Sequence, residues 1–142
     1  MLNKISLEFS KRYENAEYTV LGSTPIKFRV GQASEPLKIL LDSYGVKSAC
    51  FITACNPHGK KQGDSLNAKA MELLKEQITA RNLPFLDGYG KDPDSDWMEI
   101  SYLVLGLDRG QAEQIGRVFN QNAVVLYLAG KQAELVWLEN KE

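Results

Sequence analysis

Six side chains in this chain have types and spacing suited to acid–base chemistry on a polar ligand: Asn56, Asn67, Trp97, Glu99, Ser101 and Gln121. Residues two apart on a strand share a face. In "DWMEISYLVLGL", Trp97, Glu99 and Ser101 therefore point together, while Met98, Ile100 and Tyr102 point oppositely. A carboxylate enclosed beside an indole loses hydration, which raises its pKa and suits it to proton transfer near neutral pH. Glu99 is thus the expected catalytic acid or base, and Trp97 a stacking or desolvating wall. Asn67 lies one helical turn before Met71 on a stripe continued by Leu74 and Ile78, so its amide points inward at a helix N-terminus. Asn56 precedes Pro57 at a strand end, and Gln121 precedes the apolar run "AVVLYL". These three amides are expected to orient polar groups of the ligand. The set meets in one pocket only if the strand ending near Asn56 runs antiparallel to those entered by Glu99 and Gln121.

Other chemistries fail on spacing. In "FITACNPHGKKQGDS" a phosphate loop needs glycine five residues before Gly59-Lys60 and Ser or Thr after it, where Ala54 and Lys61 stand. Asp92, Asp94 and Asp96 open like a calcium loop, but Trp97 replaces its turn glycine and Leu103 its bidentate Glu. Gly88-Tyr89-Gly90 lacks the third glycine and the helix of a dinucleotide fingerprint. A single His58 with Cys50 and Cys55 on one short segment offers no spaced zinc ligands. Nothing nearby orients His58 against Cys55 for thiol catalysis, and a small buried thiol and a solvent-facing imidazole are expected instead. No metal and no cofactor is predicted.

The elements that must position these residues follow from periodicity. Leu2, Ile5, Phe9 and Tyr13 predict an N-terminal helix over residues 1–17, ahead of an α/β core over 18–142. "EYTVLGSTPIKFRVG" reads as two strands about the Gly22–Pro25 turn. Ser34 caps a helix with Pro36 in its first turn and Leu37, Leu40, Leu41 and Tyr44 as its inner stripe. "SACFITA" is apolar on both faces, as a central strand must be. A helix from about Asp64 to Arg81 carries Leu66, Ala70, Met71, Leu73, Leu74 and Ile78, and "LPFLDGYG" is a further candidate strand. Asp108 with Gln111 forms a capping box before Ala112, Ile115, Gly116 and Phe119, and the chain closes as a hairpin turning at Gly130-Lys131. Ile26–Ile52 and Ser101–Tyr127 each read strand, capped helix, strand. The predicted fold is a single α/β (α+β) domain with a mixed sheet, two β-α-β units and helices packed on it.

Length and composition agree with one compact domain. A chain of 142 residues buries roughly 70% of its unfolded surface, and 44% hydrophobic with 25% charged residues is average for globular proteins. A net charge of −1 disfavours duplex nucleic acid and anionic membranes as partners. No apolar run is long enough to span a bilayer. The N-terminal stretch is broken by Asn3, Lys4, Ser6 and Glu8, unlike a signal peptide, and the two cysteines suit a reducing, cytoplasmic setting.

The string "FITACNP…LNAKAMELL…GYGKDPDSDWMEISYLVLGL…FNQNAVV" resembles a small bacterial family known only as a domain of unknown function, DUF3293. The resemblance spans Ile26 to Leu138 and is most specific at Thr53-Ala54, Asn56-Pro57, Asn67, Gly90–Ser101 and Gln121-Asn122. It implies no activity, cofactor or catalytic residue. It does imply an aromatic residue at Cys55, an acid at Leu66, Arg at Ala70 and Gly at Asn120; if the family Arg clamps an anion, this member either lacks the clamp or supplies it from Lys60, Lys61 or Lys69.

Two functions fit these residues. One is a binding site for a small polar, nucleotide-like ligand, with metal-independent hydrolase or transferase chemistry at Glu99. The other is a non-enzymatic protein-interaction module, in which the same residues fix loops and aromatics such as Tyr89 or Trp137 meet a protein partner.

Overall fold

The computed structural model describes residues 11–138. Residues 11–15 are helical (α1), and Leu2, Ile5 and Phe9 of the expected opening helix lie outside the described residues. The elements that follow are β1 (Glu17–Val20), β2 (Ile26–Phe28), α2 (Glu35–Ser43), β3 (Ser48–Ile52), α3 (Asp64–Ala80), β4 (Phe85–Lys91), β5 (Met98–Leu105), α4 (Arg109–Val118), β6 (Ala123–Leu128) and β7 (Glu134–Trp137).

The strands form one seven-stranded sheet in the order β2-β1-β4-β5-β3-β6-β7. Every neighbouring pair is antiparallel, which corrects the mixed sheet expected from sequence. The reason is strand insertion. β5 and β6 both run antiparallel to β3, so they are parallel to each other with β3 lying between them. β5 likewise separates β3 from β4, and three strands separate β2 from β3. The strands of each expected β-α-β unit share a direction but are not sheet neighbours. β3-α3-β4-β5-α4-β6, ordered β4-β5-β3-β6, is a split β-α-β-β-α-β arrangement.

β3 is central and covered on both faces. Cys50 and Ile52 face one core with α3 and α4, through Met71, Leu74, Ile78, Ala112 and Ile115. Ala49 and Phe51 face a second core with Leu37 and Leu41 of α2 and with Tyr18, Val20 and Phe28 of the β1-β2 hairpin. Both caps form as read: the Ser34 hydroxyl accepts from the Leu37 N–H at 3.2 Å, and Asp108 and Gln111 complete their reciprocal box. Three expected core positions are corrected: Tyr44, Leu66 and Leu73 are 44%, 58% and 51% exposed. On α3 the i, i+4, i+7 series Asn67–Met71–Leu74 and then Ile78 holds the inward face, which rotates Leu66 and Leu73 outward.

The glycines of β4 have a packing role. Gly88 and Gly90 lie on the face occupied by the Phe51, Tyr18 and Trp97 rings, and a Cβ at Gly90 would stand 3.1 Å from two Tyr18 ring carbons and 3.4 Å from Trp97 Cη2. They make room for the aromatic wall of the site.

Candidate functional site

Because β3 runs antiparallel to β5 and β6, its exit lies beside the entrances of both. Ile52 pairs with Tyr102 and Phe51 with Val125, so the chain from Thr53 to Asn56 passes Ile100, Glu99 and Gln121. Hydrogen bonds fasten that passage. The Thr53 hydroxyl donates to Ile100 O at 2.6 Å and accepts from the Cys55 N–H at 3.0 Å. Gln121 Nε2 donates to Cys55 O at 3.0 Å and to Phe119 O at 3.3 Å. The Cys55 thiol is buried, which pushes its pKa up, and its Sγ lies 3.7 Å from Ile100 O. His58 is exposed.

Asn56 then turns left-handed, at φ 49° and ψ 63°. Asn tolerates this region better than most residues, but a following proline disfavours the helical regions, so other contacts must hold the turn. They come from α3 and its approach. The Asn56 N–H donates to Asn67 Oδ1 at 2.9 Å, and Asn56 Oδ1 accepts from Gln62 N–H at 2.9 Å and Asn67 Nδ2 at 3.1 Å. Gln62 Nε2 also donates to Asn67 Oδ1 at 2.9 Å. The remaining Asn56 donor, Nδ2, reaches Glu99 Oε2 at 2.9 Å. Asn67 thus acts through the loop rather than facing the cavity. Asn67→Ala should remove the acceptor of the half-buried Asn56 N–H and cost about 1–2 kcal/mol. Faster amide hydrogen exchange at Asn56 and Gln62, with the β-sheet amides unchanged, is the expected signature.

Glu99 is 9% exposed. Burial raises its carboxyl pKa, and hydrogen bonds from Asn56 and Trp97 and the charge of Arg12 work in the opposite direction. As the strand alternation requires, Trp97, Glu99 and Ser101 share a face and line one cavity of about 40 Å³ with Tyr13, Thr53 and Gln121. That volume admits roughly three waters, or the reacting end of a ligand. The buried Ser101 hydroxyl donates to Glu99 O at 3.2 Å.

Outside Trp97 opens a larger cleft of about 420 Å³, whose lining includes Arg12, Asn56, Gly59, Lys61, Asp96 and Trp97. Trp97 and the strand entrance are set by the β4-β5 loop. Asp92 accepts from Asp94 N–H at 3.0 Å and from the Ser95 hydroxyl at 2.9 Å, and its own N–H donates to Trp97 O at 3.1 Å. The acidic run therefore builds a turn. Among the described residues no three His, Cys, Asp or Glu side chains gather as a metal would need.

Five of the six expected residues meet around the cavity or its mouth directly, and Asn67 supports them from behind. Tyr13 and Asn122 are additions. Asn122 is buried and its Nδ2 donates to the Tyr13 hydroxyl at 3.3 Å. Tyr13 packs between Trp97 and Trp137, with ring centroids at 6.2 and 5.6 Å, and burial pushes its phenol up to about 12. Its periodicity marks only a helix stripe, and nothing local in the sequence says where that helix docks. The aromatics expected to be exposed, Tyr89 and Trp137, are half-buried.

The model of the family described as a protein of unknown function (DUF3293) matches residues 52–124, just over half of the chain. The chain belongs to the DUF3293 family. The DUF3293 match runs from the end of β3 into the start of β6 and contains Asn56, Asn67, Trp97, Glu99, Ser101 and Gln121. Arg12 and Tyr13, which complete the wall, lie outside it. No curated protein and no solved structure matched the chain. Among the described residues no helix is long and apolar enough to cross a membrane.

Proposed function

We propose that this chain binds a small polar ligand, nucleotide-like in size and polarity, at the Trp97 cleft and performs hydrolase or transferase chemistry through Glu99. One observation carries the reading: a buried carboxyl with a raised pKa lines a small, largely apolar and aromatic cavity beside Thr53, Ser101 and Gln121, and is held at one oxygen by Asn56. Burial that disfavours the ionised form strengthens a carboxyl's hold on its proton and suits it to exchange that proton with a reacting group. Asn56 has the role of fixing the carboxyl, Trp97 that of excluding water and packing against the ligand, and Ser101 and Gln121 line the floor.

A thermal-shift screen of nucleotides, sugars, amino acids and acyl metabolites tests the proposal. A ligand at a hundredfold excess over its Kd stabilises the fold by about 2.7 kcal/mol, and the shift should change in Glu99→Gln. The interaction-module reading is favoured by the exposure of Leu66, Leu73, Met98 and Ile100, each more than half accessible. It predicts no shift with any compound.

A further inference from the structure

The sheet face on which α3 and α4 pack is not covered over its whole width. Across β3 and β6 it builds a core with Met71, Leu74 and Ile115, and Tyr102 of β5 is still buried there. Along β4 and the first half of β5 the same face is open. Met98 and Ile100 are 54% and 55% exposed, Asp87 and Lys91 are exposed, and Tyr89 is half-buried. Register fixes their layout: Asp87 stands opposite Tyr102, Tyr89 opposite Ile100 and Lys91 opposite Met98, so each pair shares the face. An apolar centre is thus flanked along β4 by an acid at one end and a base at the other.

That order decides what fits. Asp87, Tyr89 and Lys91 follow at intervals of two, so charge changes sign about Tyr89 on one face of one strand. A half-turn about an axis through Tyr89 exchanges the two ends. A second copy laid face to face, with its β4 antiparallel, therefore sets the second copy's Lys91 against Asp87 and the second copy's Asp87 against Lys91. Among the described residues neither Asp87 nor Lys91 makes an ion pair within the chain. The other charges on the face are Lys27 and Glu17, which pair at 3.7 Å, and Glu72 of α3 beside Tyr102. Two bases against three acids give no attraction for nucleic acid or an anionic bilayer, although aromatics on a sheet would otherwise suit the former.

We propose that the chain self-associates through this face, two sheets packing across a two-fold axis at Tyr89 with Met98 and Ile100 buried between them. Such an interface is isologous, each patch meeting its own copy, which the Asp87–Tyr89–Lys91 order satisfies. Confined to β4 and half of β5, the face is smaller than the roughly 800 Å² per partner of a standard interface, so the dimer is weak and concentration-dependent. Met98 also lines the outer cleft with Arg12, Asn56 and Lys61, so the second copy stands at the rim of that cleft. The contact uses the face of β5 opposite Glu99 and does not rest on the reading of the Glu99 cavity as a ligand site.

The test is sedimentation velocity of the full chain from about 10 μM to about 1 mM, the range of weak association, with circular dichroism to verify that each variant is folded. Wild type should move from monomer toward dimer as concentration rises. Ile100→Asp, which sets a charge in the centre of the contact, should weaken association by more than about tenfold. Asp87→Lys alone and Lys91→Asp alone should each weaken it by about tenfold or more, since an exposed pair is worth up to about fivefold and a two-fold dimer holds two. The double variant Asp87→Lys with Lys91→Asp should return to within about threefold of wild type, because the reversed charges meet their opposites again only across the two-fold axis. Lys131→Asp, in the β6-β7 turn, alters net charge as Lys91→Asp does and should change association by less than about twofold. A chain that stays monomeric at about 1 mM overturns the inference and leaves the face to a partner of another kind. Association indifferent to Ile100→Asp, single reversals that the double variant does not rescue, or an equal effect of Lys131→Asp also overturn it.

Discussion

Glu99→Gln should abolish turnover, by about 10²–10⁴-fold if its proton transfer is the step lost, while leaving the protein folded and more stable at neutral pH. The amide keeps the shape and can still accept from Asn56 Nδ2, which now meets Glu99 Oε2 at 2.9 Å. What it loses is ionisation. Burial holds the folded-state pKa of Glu99 above its unfolded value, so the folded protein binds that proton more tightly. The resulting stabilisation is fully present below the unfolded pKa and is lost as pH rises through the folded one. Above that window wild type carries a buried carboxylate, and the variant does not. Urea unfolding of both proteins across pH 4 to 8 should show the stability difference opening toward Glu99→Gln as pH rises from the ordinary carboxylate range. Parallel curves would mean that Glu99 is not perturbed by its surroundings, and unchanged turnover would remove it from the mechanism.

The residues of the site were legible where a single element dictates direction. Strand alternation alone puts Trp97, Glu99 and Ser101 on one face, and helical spacing alone turns Asn67 inward beside Met71. Their meeting point required only that β3 oppose β5 and β6, and the structure has that register. Strand order was less legible, because insertion of β5 between β3 and β4 depends on pairing between segments far apart in the chain, which local patterns do not encode. The same limit hides Tyr13: its ring reaches Trp97 and Trp137 through the docking of α1, a tertiary event. Exposed Leu66, Leu73 and Tyr44 were misplaced for a different reason, since apolar residues are common on protein surfaces and mark burial only when the spacing agrees.

Gly88 and Gly90 were the least legible of all, and they yield the second large effect. Gly88→Ala should destabilise the protein by about 3 kcal/mol, at the upper end of overpacking costs, whereas Gly90→Ala should cost under about 1 kcal/mol. The two sites differ in what the new methyl meets. At Gly88 it would press on the Thr19 carbonyl oxygen of β1 and stand 2.8 Å from Phe51 Cε1. The carbonyl belongs to the strand paired with β4 and cannot yield without disturbing the ladder. The Phe51 ring is fixed by edge contacts to Tyr18 and Phe28, with centroids at 5.4 and 5.5 Å. At Gly90 the neighbours are ring carbons only, Tyr18 at 3.1 Å and Trp97 Cη2 at 3.4 Å; Tyr18 is itself held by Phe28 and Phe51, but a shift of a few tenths of an ångström in side chains leaves the strand ladder intact. Urea midpoints should therefore fall several times further for Gly88→Ala. Gly90→Ala should instead move the Trp97 indole signal and weaken ligand binding with little change in midpoint, because the wall that it nudges separates the outer cleft from Glu99. Equal midpoints for the two variants would contradict the tight seating of Phe51 against β4, and with it the rigidity that holds Trp97 beside the carboxyl.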